Sequence, residues 1–174
     1  MRAGLRTALA LALTGSIAAC ASGDDPESRG SQSASATGAR LRQIGGGGGQ
    51  GLVIFRPYDG GLVMVAEVGG FSTGSYRIAI HATPVCTSPT GFSAGPPLLL
   101  PEAGAPVVIA MNINHQGTAS MTTRIPGLAL SGPAGIEGRS VVLHAGRSGS
   151  LEAAPGIPND RVACGVIGTL SAIL

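Results

Sequence analysis

The chain has no lysine and no tryptophan, and its aromatic residues are limited to two tyrosines and three phenylalanines among 174 residues. All of its basic side chains are therefore arginines, and the formal net charge is only +2. Domains that bind nucleic acids usually display a basic patch or stripe on their surface. The composition excludes a typical nucleic-acid-binding domain.

The chain also lacks an apolar run long enough to span a bilayer. The run Leu5–Ala19 is shorter than the roughly 20 residues that a spanning helix needs, and it follows the basic residues Arg2 and Arg6. This order is typical of an export signal. The run ends in Ile17-Ala18-Ala19-Cys20, where small residues directly before a cysteine have the pattern of a bacterial lipobox.

We therefore predict a lipoprotein signal peptide over residues 1–19 and an acylated Cys20 as the first mature residue. Its acyl chains would hold the protein on the periplasmic side of a bacterial membrane, because two or more chains give stable attachment. An ordinary secretory signal with an incidental Cys20 is the alternative. In either case Arg2 and Arg6 are removed, and the mature protein is close to neutral.

Residues 20–38 are rich in serine, glycine and alanine and carry several acidic residues, so they cannot bury enough apolar surface to fold. We predict that they form a flexible tether. Residues 39–174 are long enough for one domain with a core. Within that domain, Gly45–Gly49 is predicted to be a flexible connector, because no Gly-Lys-Ser/Thr follows to make it a phosphate-binding loop.

Cysteine is scarce, and the number of cysteines is informative. One of the three is assigned to lipidation, which leaves Cys86 and Cys164 as a pair. An exported protein folds in a compartment that oxidises thiols, so this pair is predicted to form a disulfide. The alternative is two buried free thiols.

Helical periodicity is absent after the signal segment, whereas strand signals recur at short intervals. Asp59-Gly60 and Asn114–Gly117 are predicted as hairpin turns, and residues 125–138 as a crossover of the kind that a Greek key requires. The pattern predicts an all-β sandwich or barrel. Its strands are expected at 40–44, 52–55, 62–68, 75–82, 107–113, 118–124, 140–144 and 162–170.

Three segments, Gly74–His81, Gly138–Gly146 and Asp160–Gly168, together resemble the periplasmic copper/zinc superoxide dismutases. Cys86 and the segment Ser93–Pro97 fall at matching spacings. The resemblance covers about residues 39–174. It implies an eight-stranded Greek-key β-barrel or sandwich and a disulfide between the two cysteines.

In that family four histidines hold copper, and only two of the matching positions are histidines here. The positions correspond to Ala79, His81, Pro97 and His144. Ala79 replaces the first ligand, and Pro97 replaces the histidine that bridges copper and zinc. The resemblance thus implies that His81 and His144 could hold copper only weakly. The alternative is that both histidines are structural and bond to backbone carbonyls.

The zinc half of the family's site is missing altogether. Between Pro97 and Met111 the only ionisable residue is Glu102, whereas a tetrahedral zinc site needs at least three protein ligands. The aspartate that often links the two metal sites in the family corresponds to Ser148. We therefore expect no zinc.

One further functional residue of the family is retained. Arg161 lies three residues before Cys164, at the place of the arginine that guides the superoxide anion towards copper. The alternative is that Arg161 anchors its loop by donating to backbone carbonyls. His115 is expected on the surface, and the methionines Met64, Met111 and Met121 in the core.

Two functions remain open from the sequence. The favoured one is a superoxide dismutase-like lipoprotein that has lost the catalytic centre and serves as a binding or structural module, because Pro97 has no titratable nitrogen to deliver a proton. The other is a copper-binding protein, or a dismutase of reduced activity, that uses His81 and His144. The sequence indicates neither a protein partner nor an oligomeric state.

Overall fold

The computed structural model of the protein describes residues 36–146 and 160–170. The predicted signal peptide, the lipidation site Cys20 and the position of Ser148 lie outside these residues. The strands are β1 (Thr37–Gln43), β2 (Gln50–Tyr58), β3 (Gly61–Gly69), β4 (Gly74–His81), β5 (Val108–Ile113), β6 (Ala119–Pro126), β7 (Ser140–Ala145), β8 (Arg161–Val166) and β9 (Gly168–Thr169). A short 3₁₀-helix spans Phe92–Ala94.

The strands form one antiparallel sheet that curls into a nearly closed barrel. The order across the sheet is β5-β4-β7-β8-β1-β2-β3-β6, and the two-residue β9 pairs with β1. Strand β6 returns to pair with β3, and β7 returns to pair with β4. Long-range returns of this kind are how Greek-key folds connect their strands. The all-β, eight-stranded prediction is confirmed.

Alternation along each strand separates a core face from an outer face. In β3 the side chains of Leu62, Met64, Ala66 and Val68 point into the barrel and are buried, whereas those between them are partly or fully exposed. Met111 is buried in the same core and Met121 packs against it, as predicted. The crossover between β6 and β7 contributes further core side chains, among them Leu128 and Ile136.

Two predicted connections are borne out and one is wrong. Asp59-Gly60 closes the β2–β3 hairpin, and residues 127–139 cross from β6 to β7. The Asn114–Gly117 turn forms, but its flanking strands do not pair as a hairpin, because β5 pairs with β4 and β6 pairs with β3. These two strands are the opposite edges of the sheet.

The beginning of the domain differs slightly from the sequence-based boundary. Strand β1 starts at Thr37, two residues before the predicted domain start at Ala39. The glycine-rich segment after it is the loop of the β1–β2 hairpin. Gln43 closes this loop, since its backbone N–H donates to Gly49 O at 2.9 Å and its Oε1 accepts from Gly49 N at 2.7 Å.

A long segment after β4 folds back over the outside of the barrel. Cys86 in this segment forms the predicted disulfide with Cys164 of β8, with their Cα atoms 5.6 Å apart. Ala94, Val142 and Cys164 make a small second apolar cluster beneath it. Within the described ranges, no helix has the length and apolarity needed to cross a bilayer.

Candidate metal centre

The outer face of β4 and β7 carries the predicted ligands. Strand alternation points Tyr76, Ile78 and Ile80 into the core and turns the residues between them outward, as expected. The register then places Arg77 opposite His144, Ala79 opposite Val142 and His81 opposite Ser140. His81 and His144 therefore lie diagonally across the Ala79–Val142 pair.

The two histidines meet through their Nε2 atoms, which lie 3.1 Å apart. The ring centroids are 5.2 Å apart and the ring planes differ by only 19°. Because the centroids are so much farther apart than the nitrogens, the rings meet edge to edge and not face over face. Both side chains are fully buried.

The other ring nitrogen of each histidine faces an oxygen that only accepts hydrogen bonds. His81 Nδ1 lies 2.8 Å from the carbonyl oxygen of Gly95. His144 Nδ1 lies 2.9 Å from Oδ1 of Asp160. A carbonyl oxygen and an ionised carboxylate have no proton to donate, so each Nδ1 must carry the proton of its ring.

Burial keeps both imidazoles neutral near pH 7. Desolvation disfavours the charged ring and lowers the pKa of His81 from 6.5 to about 4, against a smaller upward effect of the Gly95 hydrogen bond. Desolvation also lowers the pKa of His144, and Asp160 opposes it. A neutral imidazole carries one proton, and in both rings this proton is on Nδ1.

Two unprotonated Nε2 atoms therefore point at each other across 3.1 Å. Moving one proton to Nε2 would make a hydrogen bond between His81 and His144. It would also set an Nδ1 lone pair against the oxygen of Gly95 or Asp160. With neutral rings, one of the three contacts is always repulsive. Only a cation between the two Nε2 atoms satisfies all of them. A proton fits at this spacing, whereas a metal ion with bonds of about 2.0 Å must lie off the line between the nitrogens or move the rings apart.

Asp160 belongs to this cluster, and the sequence did not single it out. Its two carboxylate oxygens bind different partners, because Oδ1 accepts from His144 and Oδ2 pairs with Nη2 of Arg77. The position that the resemblance matches to the family's aspartate is Ser148, which lies outside the described residues. The place of Asp160 in the sequence could have indicated it, because Asp160 directly precedes Arg161, and Arg161 pairs with His144 in the sheet.

Arg161 reaches the outer face through a β-bulge. Leu143 pairs with Ala163 and His144 pairs with Arg161, so Val162 is the extra residue. Without this bulge, Arg161 and Cys164 would point to opposite faces, because they are three residues apart.

The guanidinium of Arg161 holds the covering segment in place. It donates from Nη1 to Gly91 O at 2.9 Å and from Nη2 to Gly95 O at 3.1 Å, and it lies over the ring of Phe92. Gly91 has a positive φ of 74°, a backbone conformation that favours glycine. These contacts fit the alternative in which Arg161 anchors its loop, and Arg161 is only 7% exposed.

Pro97 and Ala79, which the resemblance matches to ligand positions, lie beside the histidine pair. Pro97 forms an isolated antiparallel bridge with His81. Ala79 is fully buried, and its pair with Val142 lies between the pairs that contain His144 and His81. Neither side chain offers a ligand atom. Among the described residues, no group of three or more histidine, cysteine, aspartate or glutamate side chains could hold a metal ion.

The remaining predicted residues do not join this cluster. Glu102 is exposed, and His115 is exposed in its turn as expected. No protein-family model matches the chain. Function is therefore inferred from the geometry of the site.

Proposed function

We propose that the protein is an exported, lipid-anchored, superoxide dismutase-like domain that has no dismutase centre and binds one copper(I) ion between His81 and His144. The single observation that supports this is the approach of the two Nε2 atoms to 3.1 Å. Two metal–nitrogen bonds of about 2.0 Å each span about 4 Å when they are in line, so binding in this way requires the two rings to separate by roughly 1 Å.

The surroundings of the two rings fit metal ligands. Histidines that bind metal usually donate their other N–H to a carboxylate or a backbone carbonyl, which fixes the tautomer and the ring orientation. His144 donates to Asp160, and His81 donates to Gly95.

The ligand number favours copper(I) over divalent ions. Zinc sites in proteins use at least three protein ligands, whereas this site offers two imidazole nitrogens, a ligand type that suits copper. When bound, copper supplies a one-electron redox couple. The site combines two neutral imidazoles with the cations Arg77 and Arg161 and the carboxylate of Asp160, and so little negative charge suits a single positive charge better than a double one.

Dismutation is not part of this proposal. The family's reaction uses the bridging histidine to deliver a proton, and Pro97 has no nitrogen that can carry one. The contacts of Arg161 to the carbonyl oxygens of Gly91 and Gly95 support its role as an anchor of the covering segment. Both histidines are fully buried, so the pair has no surface open to a small anion.

A titration with copper(I) under anaerobic conditions, against a chromophoric competing chelator, tests the proposal. We expect one copper(I) per chain and no superoxide dismutase activity. His81→Asn and His144→Asn should each weaken binding by more than about 100-fold, since losing even an outer partner of a ligand costs roughly 10–100-fold. His115→Asn, an exposed histidine outside the site, is the matched control and should bind normally.

Two results would contradict the proposal. Equal copper(I) binding by the parent and both site variants would place the metal elsewhere. Robust dismutase turnover that disappears in either variant would identify a working enzyme with a reduced ligand set. Circular dichroism of each variant shows whether the fold is kept.

A further inference from the structure

We infer that Asp160, held by Arg77, is the positioning residue that keeps His144 in its Nδ1–H tautomer and so aims its Nε2 lone pair at His81. The use of the pair as a metal site rests on the function proposed above. The tautomer itself does not, because it is a property of the metal-free protein.

The carboxylate is oriented by two partners that each bind one of its oxygens. Oδ1 accepts from His144 Nδ1 at 2.9 Å, and Oδ2 pairs with the guanidinium of Arg77. The side chains of His144 and Arg77 are 0% and 8% exposed, whereas that of Asp160 is 28% exposed. The carboxylate thus closes the outer end of a buried pair of side chains.

The backbone fixes all three residues. Arg77 and His144 are directly opposite each other in the β4–β7 ladder and point to the same outer face. Asp160 lies next to β7, where its carbonyl oxygen accepts from Ala145 N at 2.7 Å. Arg77 therefore reaches the carboxylate oxygen that His144 does not use, which leaves Oδ1 as the acceptor for Nδ1.

The two halves of the site differ in how their tautomers are set. His81 faces a backbone carbonyl, which no substitution can turn into a donor. His144 faces a side chain, which a single substitution can change. Asparagine at position 160 has nearly the same shape as aspartate but can present an N–H to His144 Nδ1. The proton of His144 would then move to Nε2 and form an N–H···N hydrogen bond with His81.

This change of tautomer means that Asp160→Asn should keep the fold and still lose copper(I) affinity. The variant gains a hydrogen bond between the two rings, so its fold should persist. It loses the second lone pair, so its copper(I) binding should fall by about 10-fold or more, in the range seen for lost outer partners of metal-binding histidines. Asp160→Glu keeps a carboxylate and should retain binding better than Asp160→Asn. Asp59→Asn, in an exposed turn, is the matched control and should change nothing.

The test is histidine tautomer assignment by ¹H–¹⁵N NMR on the metal-free full chain near neutral pH, followed by copper(I) titration of the same samples. We expect Nδ1–H at both His81 and His144 in the parent, and Nε2–H at His144 in Asp160→Asn. Nε2–H at His144 in the parent would overturn the inference, as would unchanged tautomer and copper affinity in Asp160→Asn. A parent that shows Nδ1–H at both rings but binds no copper(I) would support the positioning role and refute the proposed function.

Discussion

Arg161 and His81 share one hydrogen-bond acceptor, the carbonyl oxygen of Gly95. Arg161 Nη2 lies 3.1 Å from this oxygen and His81 Nδ1 lies 2.8 Å from it. The arginine thereby positions the atom that orients one histidine of the pair. Arg161 and Asp160 are consecutive, so one short stretch of chain controls the Nδ1 partners of both rings.

Replacement of Arg161 is expected to destabilise the protein through this anchor. Arg161→Met removes charge-assisted hydrogen bonds to Gly91 and Gly95, which are typically worth about 1.5–3 kcal/mol each. We expect the free energy of unfolding in urea to fall by about 2–4 kcal/mol, less than the sum of the two bonds, because the freed carbonyl of Gly95 still accepts from His81. Arg161→Lys keeps the charge but not the two-pronged geometry, so it should restore only part of the loss.

The exposed Arg56 on β2 provides the control for that experiment. Arg56→Met should change the free energy of unfolding by less than about 0.5 kcal/mol, as surface substitutions usually do. A stable Arg161→Met protein would mean that the contacts to the covering segment contribute little, and it would reopen a functional role for the charge.

The stability of the metal-free protein should depend on pH through the buried histidines. The pKa of His81 is lowered from 6.5 to about 4, so between these values the unfolded chain takes up a proton that the folded protein does not. The free energy of unfolding should therefore decrease as the pH falls through 6.5, by on the order of 3 kcal/mol from His81 by pH 4. The lowered pKa of His144 acts in the same direction.

Denaturant unfolding between pH 7.5 and 4 measures this dependence. Carboxylates also titrate towards the lower end, so the comparison is made with His81→Asn, which should have a shallower slope than the parent. His115→Asn removes an exposed histidine and should keep the parent's slope. Identical slopes in all three proteins would show that His81 is not buried in neutral form.

The faces of the strands were predictable from the sequence, but some strand partners were not. In β4 the alternation alone places Arg77, Ala79 and His81 together on the outer face, and the structure agrees. The Asn114–Gly117 turn was mistaken for a hairpin because turn residues show where the chain reverses. They do not show which strands pair with each other. Here β5 pairs with β4, and β6 pairs with β3.

The candidate site was predictable in its histidines and not in its carboxylate. His81 and His144 follow from the spacing of the matched segments. Asp160 lies beside His144 only because a bulge at Val162 shifts the register of β8, and a bulge has no reliable sequence pattern. The direct contact of the two rings also depends on side-chain rotamers, which the tertiary structure sets.

Membrane attachment through Cys20 remains a prediction from the sequence. If Cys20 carries acyl chains, the protein should fractionate with membranes and have a mass above that of the processed polypeptide. Cys20→Ala should leave the chain unprocessed or release it to the soluble fraction. Ser22→Ala, two residues later, is the matched control. Unchanged fractionation and mass for Cys20→Ala would refute lipidation and favour an ordinary secretory signal.

The Cys86–Cys164 disulfide should stabilise both the fold and the histidine pair. The two cysteines are 78 residues apart, and closing a loop of that length is worth about 4–5 kcal/mol in the chain-entropy description. The bond also ties the segment that carries Gly91 and Gly95 to β8. We therefore expect Cys86→Ala/Cys164→Ala to lower the free energy of unfolding by up to this amount.

Copper(I) affinity should fall in parallel, because the Gly95 carbonyl that orients His81 is less firmly held. Denaturant unfolding and copper(I) titration of the parent, with and without reductant, check both effects. Full stability and affinity in the double variant would show that Arg161 alone is enough to hold the segment over the site.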